Sequence, residues 1–190
     1  MEATGNPSDT EQYLNNLDVL CLCNNAPFTD TATRQHIINF ADSGKGLLLL
    51  HPALWYNWAD WPDYNRVLCG GGSRGHDRYA EFEVTVTEPD HPLMRGVPVK
   101  FTLKDELYWF EPDAHGTPIK VLATAHSPSK NKTFPMVFIV QHPHARIAGI
   151  ALGHDQDAHT HPAYKQLLQN ALRWSAGKEG LKDPDKEVKR

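Results

Sequence analysis

The chain has 190 residues, a formal net charge of −4 and a charged-residue content of 22%. This balance argues against a nucleic-acid-binding surface, and no apolar run approaches the roughly 18 to 20 residues that a membrane-spanning helix needs. The length predicts one domain over residues 1–190, and the odd number of cysteines, three, is expected to be reduced, which indicates a cytoplasmic protein.

The first part of the chain predicts a βαβ unit. Residues 17–23 are a short β-rich run, and a helix capped by Thr29 or Asp30 follows and stops at Gly44. Residues 46–50 (GLLLL) are continuously apolar, as is typical of a strand covered on both faces. Strand, helix and strand in this order predict a sheet that is parallel at its centre.

Further strands follow this unit. They are predicted at 79–87, 119–125, 136–141 and 147–152, and the last helix is predicted at 163–176. The glycines at 70–72 predict a flexible turn that presents His76, and residues 178–190 predict a charged, frayed tail. Residues 1–12 offer no strand, so we expect either that the central strand of the sheet comes from elsewhere in the chain or that the opening strand is absent.

Two histidines follow predicted strands directly. His51 comes after 46–50, and Gly153-His154-Asp155 comes after 147–152. Open α/β sheets bind ligands outside the carboxyl ends of their strands, so both side chains are candidates for one site. Gly153 permits close approach to a ligand, and Asp155 or Asp157 would orient an imidazole. The alternative is that each histidine only completes the hydrogen bonding at a strand end.

His76 and the segment Asp105-Glu106-Leu107-Tyr108 lie between these two places in the chain. In an extended segment Asp105 and Glu106 point to opposite faces, so at most one need face the site; either could instead cap a turn or pair with an arginine. Histidines with a carboxylate suit a metal site or acid–base catalysis. There is no short zinc-binding motif, so metal ligands would come from distant segments, namely His51, His76, Glu106 and His154.

Five pieces of the chain, in order, resemble the ThuA-like (trehalose-utilisation) family. They are LLLLHPA (47–53), GGGSRGH (70–76), PDHPLMRGVP (89–98), DELYWF (105–110), and ALGHD (151–155) with HPAYKQLLQNALRW (161–174). The resemblance covers about residues 17–176 and implies a class I glutamine amidotransferase-like fold. This is an α/β, flavodoxin-like, mostly parallel sheet with helices on both faces.

The resemblance also implies where the site lies. Amidotransferases carry a cysteine in the tight turn after a strand; here His51 stands at that place, and His154 resembles the catalytic histidine. Because an imidazole cannot take over thiolate acyl chemistry, the resemblance argues against glutaminase activity.

The expected function is an enzyme of sugar or glycoside catabolism, a hydrolase or lyase. His51 and His154 would shuttle protons, oriented by Glu106 or Asp155. Substrate would contact aromatic and polar side chains, namely Trp55, Tyr56, Trp58, Trp61, Asp105 and Tyr108, unless some of the aromatic residues belong to the core. A divalent metal, zinc or manganese, would support metal-assisted chemistry instead.

Two other functions stay open. A non-catalytic sugar-binding or regulatory module could keep the fold without the chemistry, and the apparent lack of an opening strand favours it. An amidotransferase-like hydrolase would need Cys69 in the site. The expected partner is a small-molecule sugar or glycoside, not a nucleic acid or membrane, and an exposed strand edge would favour a homo-oligomer.

Overall fold

The computed structural model describes residues 10–24, 26–55 and 60–178. In chain order its elements are α1 (Thr10–Asn15), β1 (Val19–Leu22), α2 (Thr31–Asp42), β2 (Gly46–Leu50), β3 (Gly71–His76), β4 (Ala80–Val86), β5 (Lys100–Asp105), β6 (Tyr108–Pro112), β7 (Ile119–Ser127), β8 (Lys132–Val140), β9 (Ile147–Ile150), α3 (Gln156–Thr160) and α4 (Pro162–Ser175). Short 3-10 turns occur at His51–Leu54 and Pro92–Met94, and a π-helical turn occurs at Tyr64–Cys69.

Seven strands form one sheet in the order β1-β2-β9-β8-β7-β4-β5. The strands β1, β2 and β9 pair in parallel, and the remaining pairs of this sheet are antiparallel. The difference follows from the connections: α2 provides the crossover that two parallel strands need, whereas a four-residue turn joins β7 to β8. The strands β3 and β6 form a separate antiparallel ribbon.

Helices cover both faces of the parallel strands, as predicted. Leu47 and Leu49 of β2 pack on one face with α1 and α2, whereas Leu48 and Leu50 pack on the other with α4. All five residues of β2 are buried, which explains the continuous apolar run. The predicted α/β fold is confirmed, with parallel pairing confined to β1, β2 and β9.

The helix α2 begins where its sequence predicted. The Asp30 carboxylate accepts the N–H of Thr33 and so caps the helix, and Gly44, with φ +85°, follows its end. This defined start and stop set the length of the crossover between β1 and β2.

The glycine-rich segment requires a correction. It was predicted as a flexible turn, but residues 71–76 form β3, and His76 is the last residue of this strand. A Cβ at Gly71 would overlap the backbone of β6, and a Cβ at Gly75 would overlap the ring of Trp109. The glycines therefore allow close packing between two strands rather than flexibility.

Two predictions concern the ends of the chain. The expected absence of an opening strand and the frayed tail fall largely on residues 1–9 and 179–190, which lie outside the described residues. No helix in the described part of the chain is long and apolar enough to cross a membrane.

Candidate functional site

His51 occupies the turn directly after β2. Its φ of +28° is unusual for a residue with a side chain, and such backbone strain is typical of functional positions. The side chain is 3% exposed, and Nδ1 lies 2.8 Å from the carbonyl oxygen of Ala151, just beyond β9. Because a carbonyl only accepts hydrogen bonds, Nδ1 carries the proton and Nε2 presents its lone pair.

The Nε2 atom of His51 is buried and has no hydrogen-bond partner among the described residues. It lies 3.5 Å from Oε2 of Glu106. Burial lowers the pKa of His51 to about 4, against the opposing effects of the Ala151 carbonyl and the Glu106 carboxylate. The imidazole is therefore neutral at neutral pH.

His154 follows β9 after Gly153, whose φ of +111° favours glycine. A Cβ at Gly153 would overlap the hydroxyl of Tyr164. The imidazole is 44% exposed, and its Nδ1 lies 3.1 Å from Oε2 of Glu106. One histidine of the site is thus buried, and the other is open to a substrate.

Asp105 fixes the backbone on both sides of the site. Its fully buried carboxylate accepts the N–H of Glu106 at 2.8 Å, of Gly153 at 2.7 Å and of His154 at 3.0 Å. Burial raises the pKa of Asp105, and these N–H groups oppose that shift. The carboxylate thereby ties the end of β5 to the turn after β9.

Glu106 is the centre of the cluster. Its carboxylate, 16% exposed, faces His51 and His154 through Oε2 and His76 through Oε1, the last at 3.6 Å from Nδ1. Ligand atoms of His51, Glu106 and His154 all lie within 4.8 Å of one another. Three of the four predicted metal ligands thus form a compact set. His76 lies at its edge, with Nδ1 also 2.7 Å from the carbonyl oxygen of Asp77.

Aromatic rings border this cluster. The ring of Tyr108 lies 4.0 Å from that of His51, and Trp55 lies 5.4 Å from Tyr108 and 5.9 Å from His76. Burial, with the nearby carboxylates of Glu106 and Asp105, raises the pKa of Tyr108. Both rings border the cluster, Trp55 half-buried and Tyr108 5% exposed, and substrate contact by either stays a prediction.

The other three aromatic residues predicted to contact substrate are not placed at the cluster by the described structure. Tyr56 and Trp58 lie outside the described residues. Trp61 is buried and packs against Tyr64, with ring centroids 5.2 Å apart. Trp61 is therefore a core residue, which is the alternative that its sequence context left open.

Two predicted carboxylate roles need correction. Asp105 was expected to bind substrate, but its carboxylate is buried and occupied by backbone N–H groups, so it positions other residues. Asp155 was expected to orient an imidazole. Its carboxylate instead caps α3 by accepting the N–H of Asp157, and the Tyr79 hydroxyl beside it lowers its pKa. Glu106 takes the place beside His154.

Cys69 is not in the site. It is fully buried, and burial raises the pKa of its thiol, which disfavours the thiolate. An amidotransferase-like reaction at Cys69, one of the alternatives from the sequence, is contradicted by this position.

Two side chains that were not among the predicted catalytic, binding or metal residues lie beside His154. His159 Nε2 donates to the carbonyl of Gly153 at 2.9 Å, and its ring stacks on Tyr164. The ring of Tyr79, whose hydroxyl donates to Asp157, lies 5.8 Å from that of His154. Tyr79 directly precedes β4, and no local sequence pattern indicates that its ring lies beside His154.

Comparison with known proteins gives the following matches. A sequence model of the ThuA family, described as trehalose utilisation, matches residues 1–175. The structure is similar to that of a ThuA-like protein from Parabacteroides merdae, with 24% identity, a TM-score of 0.79 and coverage of 96% of this chain and 79% of that one. A ThuA-like protein from Bacteroides uniformis gives 21% identity, a TM-score of 0.75 and coverage of 90% and 75%.

A more distant structure supports the predicted fold. A Thermoplasma acidophilum protein described as part of a GMP synthase has 13% identity, a TM-score of 0.57 and coverage of 96% of this chain and 81% of that one. No curated protein sequence matches the chain.

Proposed function

The chain belongs to the ThuA family, described as trehalose utilisation, and we propose that it is an enzyme that degrades a trehalose-type disaccharide or a related glycoside. The expected reaction class is hydrolysis or a lyase reaction rather than glutamine hydrolysis. The observation that carries this proposal is the convergence of His51 and His154 on one carboxylate, Glu106, beside the half-buried ring of Trp55.

The geometry supports distinct roles for these groups. A sugar ring would stack on the half-buried Trp55, and Tyr108 would contact substrate hydroxyls. His154, the exposed histidine, is placed to exchange a proton with the substrate. His51 presents a bare Nε2 lone pair as a base, and Glu106 stabilises positive charge on either ring.

The same three groups also suit metal-assisted chemistry, in which a cation polarises a carbonyl or activates water. Proton transfer and metal assistance use one site and one substrate position. Both therefore predict loss of activity when the histidines are removed.

The test is turnover of trehalose and a panel of glycosides by the wild type and by His51→Ala and His154→Ala separately. Acid–base groups contribute about 10²- to 10⁴-fold, so each variant should lose at least about 100-fold in kcat/KM. His115→Ala, in an exposed loop outside the cluster, is the matched control and should keep full activity. Circular dichroism and thermal unfolding check that each variant is folded.

Full turnover in both cluster variants would contradict the assignment of the site. A wild type that binds a glycoside but converts none would instead identify a non-catalytic sugar-binding module.

A further inference from the structure

The contact between the buried His51 ring and the partly exposed Glu106 carboxylate is incomplete. His51 Nε2 presents a lone pair, because Nδ1 donates to the carbonyl of Ala151. The nearest charged atom is Oε2 of Glu106, which is also an acceptor, at 3.5 Å. The Nε2 atom is buried and has no hydrogen-bond partner among the described residues, which costs free energy, and a cation or a proton between the two acceptors would remove that cost.

We propose that His51 Nε2, a Glu106 carboxylate oxygen and His154 Nδ1 bind one divalent cation of the zinc class. The role of this ion in catalysis rests on the proposed function, whereas its binding does not. A shared proton is the competing explanation for the incomplete contact.

The spacing of the donor atoms fits an ion. Ligands at about 2.0 to 2.1 Å from a tetrahedral zinc lie about 3.4 Å from one another. The contacts of Glu106 Oε2 with His51 and His154 are 3.5 and 3.1 Å, and the three donor atoms lie within 4.8 Å of one another. No large movement is needed to close the set around one ion.

The chemistry of the donor set also fits. Two histidines and one glutamate are the protein ligands of many catalytic zinc sites, which leave a coordination position for water or substrate. His154 and Glu106 are partly exposed, so a substrate can reach the site.

Surrounding groups orient the ligands in the way metal sites require. A metal-bound histidine usually donates its other N–H to a carbonyl or carboxylate, and His51 donates to Ala151. Asp105 holds the backbone N–H groups of Glu106 and His154. Two of the three ligands are thus fixed by one buried carboxylate before any ion binds.

The experiment uses full-length protein purified without a histidine tag, stripped with EDTA and dialysed. Calorimetric titration with zinc chloride and manganese chloride should give one ion per chain, with zinc tighter than manganese. His51→Ala, Glu106→Gln and His154→Ala should each weaken zinc binding by more than about 100-fold, the upper range for loss of an outer-shell partner. His115→Ala should bind as the wild type does.

A second readout follows the coordination directly. Cobalt(II) bound to the wild type should give visible d–d absorption that Glu106→Gln loses, and this variant keeps the size of the side chain. No binding above background by the wild type would overturn the proposal. Zinc affinity unchanged in all three variants would also overturn it, because the ion would then be on surface histidines.

The outcomes separate this proposal from the proposed function. Zinc binding at the cluster without conversion of any glycoside would contradict the function and support the metal site. Glycoside turnover by protein that binds no ion would support the function and overturn the metal site.

Discussion

At the residue scale, the buried carboxylate of Asp105 bonds to three backbone N–H groups, those of Glu106, Gly153 and His154. Each hydrogen bond to a charged acceptor contributes about 1.5 to 3 kcal/mol to the free energy of unfolding, and such contributions do not simply add. Its larger consequence is geometric, because it sets the distance between Glu106 and His154. We therefore regard Asp105 as a positioning residue.

Asp105→Asn places an amide NH₂ group against backbone donors. We expect a loss of about 2 to 3 kcal/mol in the free energy of unfolding and a fall in kcat of at least about 10-fold, since misplaced groups lose proximity. Urea unfolding and steady-state kinetics measure both effects. Zinc affinity should fall as well, and a purely structural residue would not change it in protein that remains folded.

The control for this prediction is Asp155→Asn. The Asp155 carboxylate caps α3 and, unlike that of Asp105, does not bind the backbone N–H groups of Glu106 and His154. Asparagine is nearly as good a helix cap as aspartate. Stability and activity should therefore change little. If Asp105→Asn kept wild-type kcat and zinc affinity, its positioning role would be wrong.

The site was predictable from sequence to the extent that it follows the strands. His51 and His154 come directly after buried apolar strands, and parallel pairing of β2 with β9 brings them together. The sequence could not show which of Asp105 and Glu106 faces the histidines. That depends on which of the two adjacent carboxylates binds the backbone of the turn after β9. Asp155 was misjudged because the start of α3 competes with the site for its carboxylate.

At the element scale, the ribbon of β3 and β6 is the part that sequence patterns misidentified. Glycines usually indicate turns, and the pattern does not show that a tryptophan on β6 needs the space. The antiparallel strands β8, β7, β4 and β5 also make the sheet more mixed than an all-parallel one. Pairing between strands that lie far apart in the sequence, such as β4 with β7, depends on tertiary packing rather than on local propensity.

Gly75→Ala tests the packing within this ribbon. The new methyl group would overlap the Trp109 ring, so we expect a loss of about 1 to 3 kcal/mol in unfolding free energy. Glycoside affinity should also fall, because His76 and Tyr108 are the chain neighbours of these two residues. Urea unfolding of Gly75→Ala, Trp109→Ala and the double variant measures the coupling between them.

In the Trp109→Ala background, Gly75→Ala should lower the free energy of unfolding by clearly less, because the indole ring that the new methyl group would overlap is no longer there. Strictly additive costs would mean that the overlap is relieved elsewhere and that the glycine is not required by the tryptophan.

At the scale of the whole molecule, the seven-stranded sheet has a hydrophobic core on each face. Ile37 of α2 belongs to one core and Ile150 of β9 belongs to the other. Both cores share the strands β2 and β9, whose side chains alternate between the two faces. The site lies at the carboxyl ends of these same strands, so its geometry depends on both cores.

The prediction of a single domain can be tested by the same substitution on each face. Ile37→Val and Ile150→Val each remove one buried methylene group and should cost about 0.5 to 1.5 kcal/mol. If the sheet couples the two cores, each variant lowers the midpoint of one shared urea transition, and the costs add in the double variant. Far-UV circular dichroism and tryptophan fluorescence should report the same midpoint. Two separated transitions, with each substitution shifting only one, would show that the faces unfold independently.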